Sequence, residues 1–126
     1  MLAIPGLWYL RAMKDIMETV ACAAIWYKDI PLRKVMPGAL PVNCDRGLVV
    51  CGHRHGQCIS VMGSLTGLRS VKSGPDSVGD YVQGFLTTKN RFVDRLEAAE
   101  IAVATGQVNR EELINPRVGL FSEDLY

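Results

Sequence analysis

Apolar residues recur at two different periods along the chain, and the period changes mark out the elements. Over residues 5–20, Leu7, Leu10, Met13, Met17 and Val20 fall three or four apart behind Pro5-Gly6. That spacing lines one face of an amphipathic helix and predicts an N-terminal helical extension over about 1–19. The run Val20–Tyr27 is continuously apolar, short, and closed by Lys28-Asp29. Its length and aromatic end predict a buried strand rather than a helix. Pro31, Pro37, Gly38 and Pro41 predict a loop over 30–46.

Gly47–Gly52 predicts a second strand, and Cys58, Ile59 and Met62 a short helix over about 53–63. Residues 63–80, rich in Gly and Ser, predict a turn or mobile hairpin region. Tyr81–Thr87 predicts a third strand with a glycine interruption. Asp94 followed three residues later by Glu97 has the spacing of a helix-starting capping box. The helix it opens should run Arg95–Thr105 and stop at Gly106. Its apolar residues lie most of the way round, so it should be covered on more than one side. Asn109 is placed to cap one further turn through Leu113 before Pro116. These elements predict a small single α/β (α+β) domain, residues 1–126, with a short sheet packed by two or three helices.

Composition narrows the partner. Apolar residues make up 48% of the 126 residues, charged residues 21%, and the net charge is +1. A chain that tracks a nucleic-acid backbone carries a clear basic excess, so no nucleic-acid polymer is expected. No apolar run reaches the ~18–20 residues that cross a bilayer. The stretch Leu7–Leu10 is too short for a secretory core, which needs about 7–15 apolar residues. We therefore expect a cytoplasmic protein with no membrane partner. Of the four cysteines, Cys22, Cys44, Cys51 and Cys58, none suggests a disulfide framework. Cys22 reads as a small buried hydrophobe. Cys51 is expected to end its strand in the core, with Cys58 facing the core from the helix.

Two segments carry candidate chemistry. Cys51-Gly52-His53-Arg54-His55-Gly56-Gln57-Cys58 gathers zinc-ligand residue types, but C-x-H-x-H-x-x-C is not a usual zinc spacing, so no metal is expected. Its strand-to-helix turn suits a phosphate or carboxylate held by free N–H groups, Arg54 and the imidazoles of His53 and His55. Gly84–Arg95 offers Phe85 for stacking, Asn90 as an amide, Arg91 and Arg95 as cations, and Asp94 at a helix start. Each residue also has a structural reading: Phe85 as core, Arg91 as a solvated cation, Asp94 as a cap only. The Glu123-Asp124 pair reads more naturally as part of a docked tail than as an acid–base pair.

The blocks Cys22–Lys28, Val50–His55, Gly84–Arg95 with Glu97-Ala98-Ala99 and Gly106-Gln107, and Leu120–Tyr126 resemble the first anti-Thoeris family of phage proteins. The resemblance implies a phage anti-defence sponge that sequesters a cyclic ADP-ribose-type signal without cleaving it. It implies no cofactor, no catalytic residue, and a homo-oligomer, dimer-based or hexameric, with pockets between subunits. The implied ligand residues are sought in Phe85, Asn90, Arg91, Asp94 and Arg95. His53, Arg54 and His55 are the candidates for a second, cyclic oligonucleotide site. Two readings of other classes stand beside it. One is a small hydrolase, metal- or Cys/His-dependent, using His53, His55 and a cysteine, or the Glu123-Asp124 pair. The other is a protein inhibitor of a host defence factor acting through the helix that carries Trp8 and Tyr9.

Overall fold

A computed structural model describes residues 17–126. Its centre is a four-stranded antiparallel sheet, order β2-β1-β3-β4, built from β1 (Val20–Tyr27), β2 (Leu48–Gly52), β3 (Tyr81–Thr87) and β4 (Phe92–Asp94). Strand β1 is the most apolar of the four and sits in the interior, paired on both sides. This is the α+β domain that the periodicities indicate. The N-terminal helix expected over 5–20 falls mostly outside the described residues. Its proposed end is corrected: Val20 belongs to β1, and residues 17–19 are not helical.

Helix α1 (His55–Thr66) and helix α2 (Arg95–Ala104) pack on the same face of the sheet. Between them and the sheet lie Ile25, Tyr27, Met62, Phe85 and Val93, all nearly or fully buried. α1 runs one turn beyond the expected 63 and stops at Gly67, whose left-handed backbone donates its N–H to the Gly63 carbonyl. α2 begins as its sequence indicates, with Asp94 Oδ1 accepting from Glu97 N at 2.8 Å. Three alanines, Ala98, Ala99 and Ala102, form its buried face and let the helix lie close to the sheet. Leu96, on the same helix, stays 55% exposed. The turn after Asn109 is 3-10 helix over Arg110–Glu112, and the Asn109 side chain does not cap it.

The opposite face of the sheet carries Ala24, Trp26, Val49, Val82, Leu86 and Phe92, and the 30–46 loop covers part of it through Leu40 and Cys44. Asn43 anchors that loop to the edge strand. Its amide donates to the Phe92 carbonyl at 2.7 Å, and its side-chain oxygen accepts from Phe92 N at 2.8 Å. The short edge β4 is thereby closed by a side chain in place of another strand.

Gly84, read from sequence as an interruption, is required for close approach. A Cβ there would run into the carbonyl of Val93 and into the ring of Phe92 at 2.8 Å. The last element, α3 (Ser122–Leu125), is one turn long. Asp124 receives Ile114 N at 3.0 Å and Phe121 N at 2.8 Å, so the C-terminal segment is tied to the body through this carboxylate.

Candidate functional site

Pleating decides which cysteines are available. Val50 and Ala23 face the helices, so their neighbours Cys51 and Cys22 face the other way. Cys51 is exposed and Cys22 half-buried, which corrects the expectation that both lie in the core. Cys58 is buried as expected, with its sulfur 3.8 Å from the Ala23 carbonyl. Among the described residues, no three His, Cys, Asp or Glu side chains converge to hold a metal ion.

The strand-to-helix turn separates its own three candidates. His55 turns inward and is buried. Its Nε2 lies 2.7 Å from the Gly84 carbonyl, so Nε2 carries the proton in the neutral ring. Burial pushes its pKa below the ordinary imidazole value. His53 turns outward and stacks on Tyr126, with ring centroids 4.4 Å apart and planes 14° from parallel. Arg54 reaches toward the same residue. Its Nη2 donates to the main-chain oxygen of Tyr126, and its guanidinium carbon lies 5.4 Å from that ring's centroid. The other terminal nitrogen, Nη1, is buried with no hydrogen-bond partner among the described residues.

The second segment is not brought together as one surface. Phe85 is fully enclosed, its ring edge-on to His55 at 5.0 Å, so no face of it meets solvent. Asn90 sits at the tip of the β3–β4 turn with φ +57°. Arg91 lies beside the turn and is engaged by two carboxylates. Nε and Nη2 each reach the Glu18 carboxylate at 2.8 Å, and Nη2 reaches Glu97 at 3.0 Å. Arg91 first holds the Glu18 carboxyl well below its usual range, to about 2. Asp94 is occupied as the helix cap.

Arg95 belongs elsewhere. Its Nη1 donates to the Leu120 carbonyl at 2.8 Å and its Nη2 to Gln83 at 2.7 Å, while its guanidinium lies over Phe121 at 4.6 Å. Glu123, on α3, shares the electrostatic surroundings of Arg54, His55 and Arg95. Its pKa is lowered by its own backbone N–H first, with Arg54 next among the favourable charges. The C-terminal segment therefore gathers the cations of both sequence segments, Arg54 and Arg95, with an aromatic ring against each. Phe121, Glu123 and Tyr126 were not selected as ligand residues from sequence. The signal for them was the density of aromatic and acidic residues in Phe121–Tyr126.

Residues 19–126 match the family model described as phage T4 y16D protein. The chain belongs to that family. No curated protein and no solved structure matches it significantly. The family match begins at Thr19 and so takes in the whole sheet, both packed helices and the C-terminal cluster. Among the described residues, no helix is long and apolar enough to cross a membrane.

A cavity of about 340 Å³ adjoins the cluster, lined in part by Gln107, Asn109, Glu112, Glu123 and Asp124. Its carboxylates disfavour an anion inside it. The cationic side, at Arg54 and Arg95, is the better place for phosphate.

Proposed function

We propose that this phage protein binds and sequesters a small cyclic ADP-ribose-type nucleotide, without cleaving it, at the cluster formed by His53, Arg54, Arg95, Phe121 and Tyr126. The observation that carries the reading is the buried Nη1 of Arg54, a cationic donor with no hydrogen-bond partner among the described residues, on a guanidinium that faces the Tyr126 ring, while Arg95 lies over Phe121 of the same C-terminal segment. Guanidinium groups suit phosphate, and ring faces suit a base. The resemblance to the anti-Thoeris sponges supplies the ligand class and the absence of turnover. The same resemblance places ligand contacts in Phe85, Asn90 and Arg91. Of these Asn90 is the exposed one, at a turn tip, while Phe85 is buried and Arg91 is paired with Glu18 and Glu97. Leu96, Ile114 and Val118, exposed by 55%, 62% and 43%, support a homo-oligomeric interface.

The test incubates the protein with a panel of cyclic ADP-ribose isomers and cyclic nucleotides, removes free ligand, and heats the protein to release what it holds. Intact nucleotide in the released fraction supports the sponge. Altered nucleotide makes the protein an enzyme, and no depletion of any panel member removes the ligand reading and favours a protein inhibitor. Arg54→Ala should weaken capture at least ten-fold, since a charge-assisted bond contributes ~1.5–3 kcal/mol and ~1.4 kcal/mol is ten-fold. If Arg54→Ala binds as tightly as the wild type, the site lies elsewhere.

A further inference from the structure

We propose that Cys22 and Cys51 form an oxidisable dithiol that closes reversibly into an intrachain disulfide across β1 and β2. Cys51 stands opposite Ala24, and Cys22 lies two residues along β1 from Ala24, so both side chains leave the same face of the sheet. The two thiols are close enough to influence each other's ionisation, and the Gly52 backbone acts on Cys22 as well. The 30–46 loop covers this face near Cys44 and leaves Cys51 exposed.

The chemistry of the pair is asymmetric. The Cys51 thiol first, and the Gly52 backbone with it, bring the Cys22 thiol down to about 7, while the same neighbour pushes Cys51 up. Cys22 is thus the nucleophile and Cys51 the resolving thiol, the pairing that favours reversible oxidation. With hydrogen peroxide as oxidant, the Cys22 thiolate attacks one peroxide oxygen. The S–O bond forms, the O–O bond breaks, and the departing hydroxide takes up the proton that Cys22 had shed. The Cys51 sulfur then attacks Cys22, the S–S bond forms, and hydroxide leaves with the Cys51 proton as water. Two thiols are oxidised, one peroxide is reduced, and two waters result.

Diagonal neighbours in an antiparallel pair stand ~7–8 Å apart, whereas bridged cysteines usually have Cα atoms within ~6.8 Å, so closure needs a shift of about an ångström. The strands have slack at this point. The pairing of β1 with β3 is irregular between Val20 and Cys22, and β2 is an edge strand that ends at Gly52. Cys44 and Cys58 are buried, and Cys58 points into the opposite layer.

The experiment treats the reduced full-length protein with one equivalent of hydrogen peroxide, alkylates the remaining thiols with N-ethylmaleimide, and measures intact mass before tryptic mapping. The four cysteines fall in four different tryptic peptides, those of Cys22 and Cys51 being 15–28 and 47–54. The expected result is two alkylations in place of four, a cross-link between those two peptides, and full recovery of four after dithiothreitol. Cys22→Ser and Cys51→Ser should each abolish the paired loss. Four alkylations after peroxide overturn the proposal. So does a cross-link through Cys44 or Cys58, a dimer on a non-reducing gel, or a Cys22 carried to sulfinic acid with Cys51 still alkylated.

Discussion

Replacing Phe85 by alanine separates a core role from a ligand role at a position that the sequence offers for both. Phe85 has no exposed surface. It stands opposite Ala23 on β1 and Val93 on β4, and its ring meets the buried His55 edge-on at 5.0 Å. Truncation removes six carbons from a site flanked by strands on both sides, where little can move in to fill the space. Phe→Ala at such a site costs ~3–5 kcal/mol, and the lost aromatic contact lies within that range. For a domain of this size the melting temperature should fall by roughly 10–30 °C. Differential scanning calorimetry on wild type and Phe85→Ala measures it, with ligand capture assayed on the same samples at a temperature where both are folded. A fall of less than about 5 °C together with lost capture would refute the argument, because Phe85 would then be contributing to binding rather than to packing.

Acid should weaken the fold through Glu18. Its folded pKa, about 2, lies below the ordinary 4.5, so the stabilisation from Arg91 and Thr87 is complete above that ordinary value and is lost as pH falls toward 2. Glu18→Gln should flatten this part of a stability-versus-pH curve measured by urea denaturation, and an unchanged slope would show that the pair contributes nothing. Iodoacetamide should modify Cys22 with a midpoint near pH 7, and Cys51→Ala should move that midpoint up toward 9 as the stabilising influence of the neighbouring thiol is lost. Cys58 from α1 and Tyr126 after α3 also face Cys22, but as acids of the same charge they can only oppose its ionisation, so a midpoint that ignores Cys51→Ala would assign the lowering to the Gly52 backbone.

The strands and α2 were legible because each signal was local. An apolar run of eight bounded by Lys28-Asp29 could hardly be anything but β1, and Asp94 with Glu97 marked the start of α2 by capping chemistry alone. Side-chain direction was harder. Cys51 looked like the end of a core strand, but the alternation that buries Val50 forces Cys51 outward. The candidate site failed as a sequence object for a related reason. Gly84–Arg95 is contiguous in the chain, yet a strand, a turn, a second strand and a helix start aim its side chains in different directions. Phe85 goes into the core, Arg91 to Glu18, and Arg95 to the C-terminal segment. Partners 25 and 72 residues away, Leu120 for Arg95 and Tyr126 for Arg54, leave no trace in local spacing.

That long-range assembly makes Glu123 the informative residue in the proposed site. A carboxylate placed among Arg54, His55 and Arg95 partly offsets the charge of the two arginines, and an incoming phosphate must compete with it for the same field. Glu123 is exposed and lies on a one-turn helix, so it can turn away without disturbing the sheet. The helix is held by Asp124, not by Glu123, through Ile114 N and Phe121 N. Glu123→Gln keeps the shape and removes the charge. An exposed charge interaction contributes ~0.2–1 kcal/mol, so phosphate-bearing ligands should bind roughly 1.5- to 5-fold more tightly. The gain should shrink as salt rises, because screening weakens the competition that the wild-type carboxylate imposes. Isothermal titration at low and high ionic strength distinguishes this from a packing effect, which salt would leave alone. An affinity that falls in Glu123→Gln would mean that the carboxylate contacts the ligand itself, for example a ribose hydroxyl, and the cluster would then read both ends of the nucleotide.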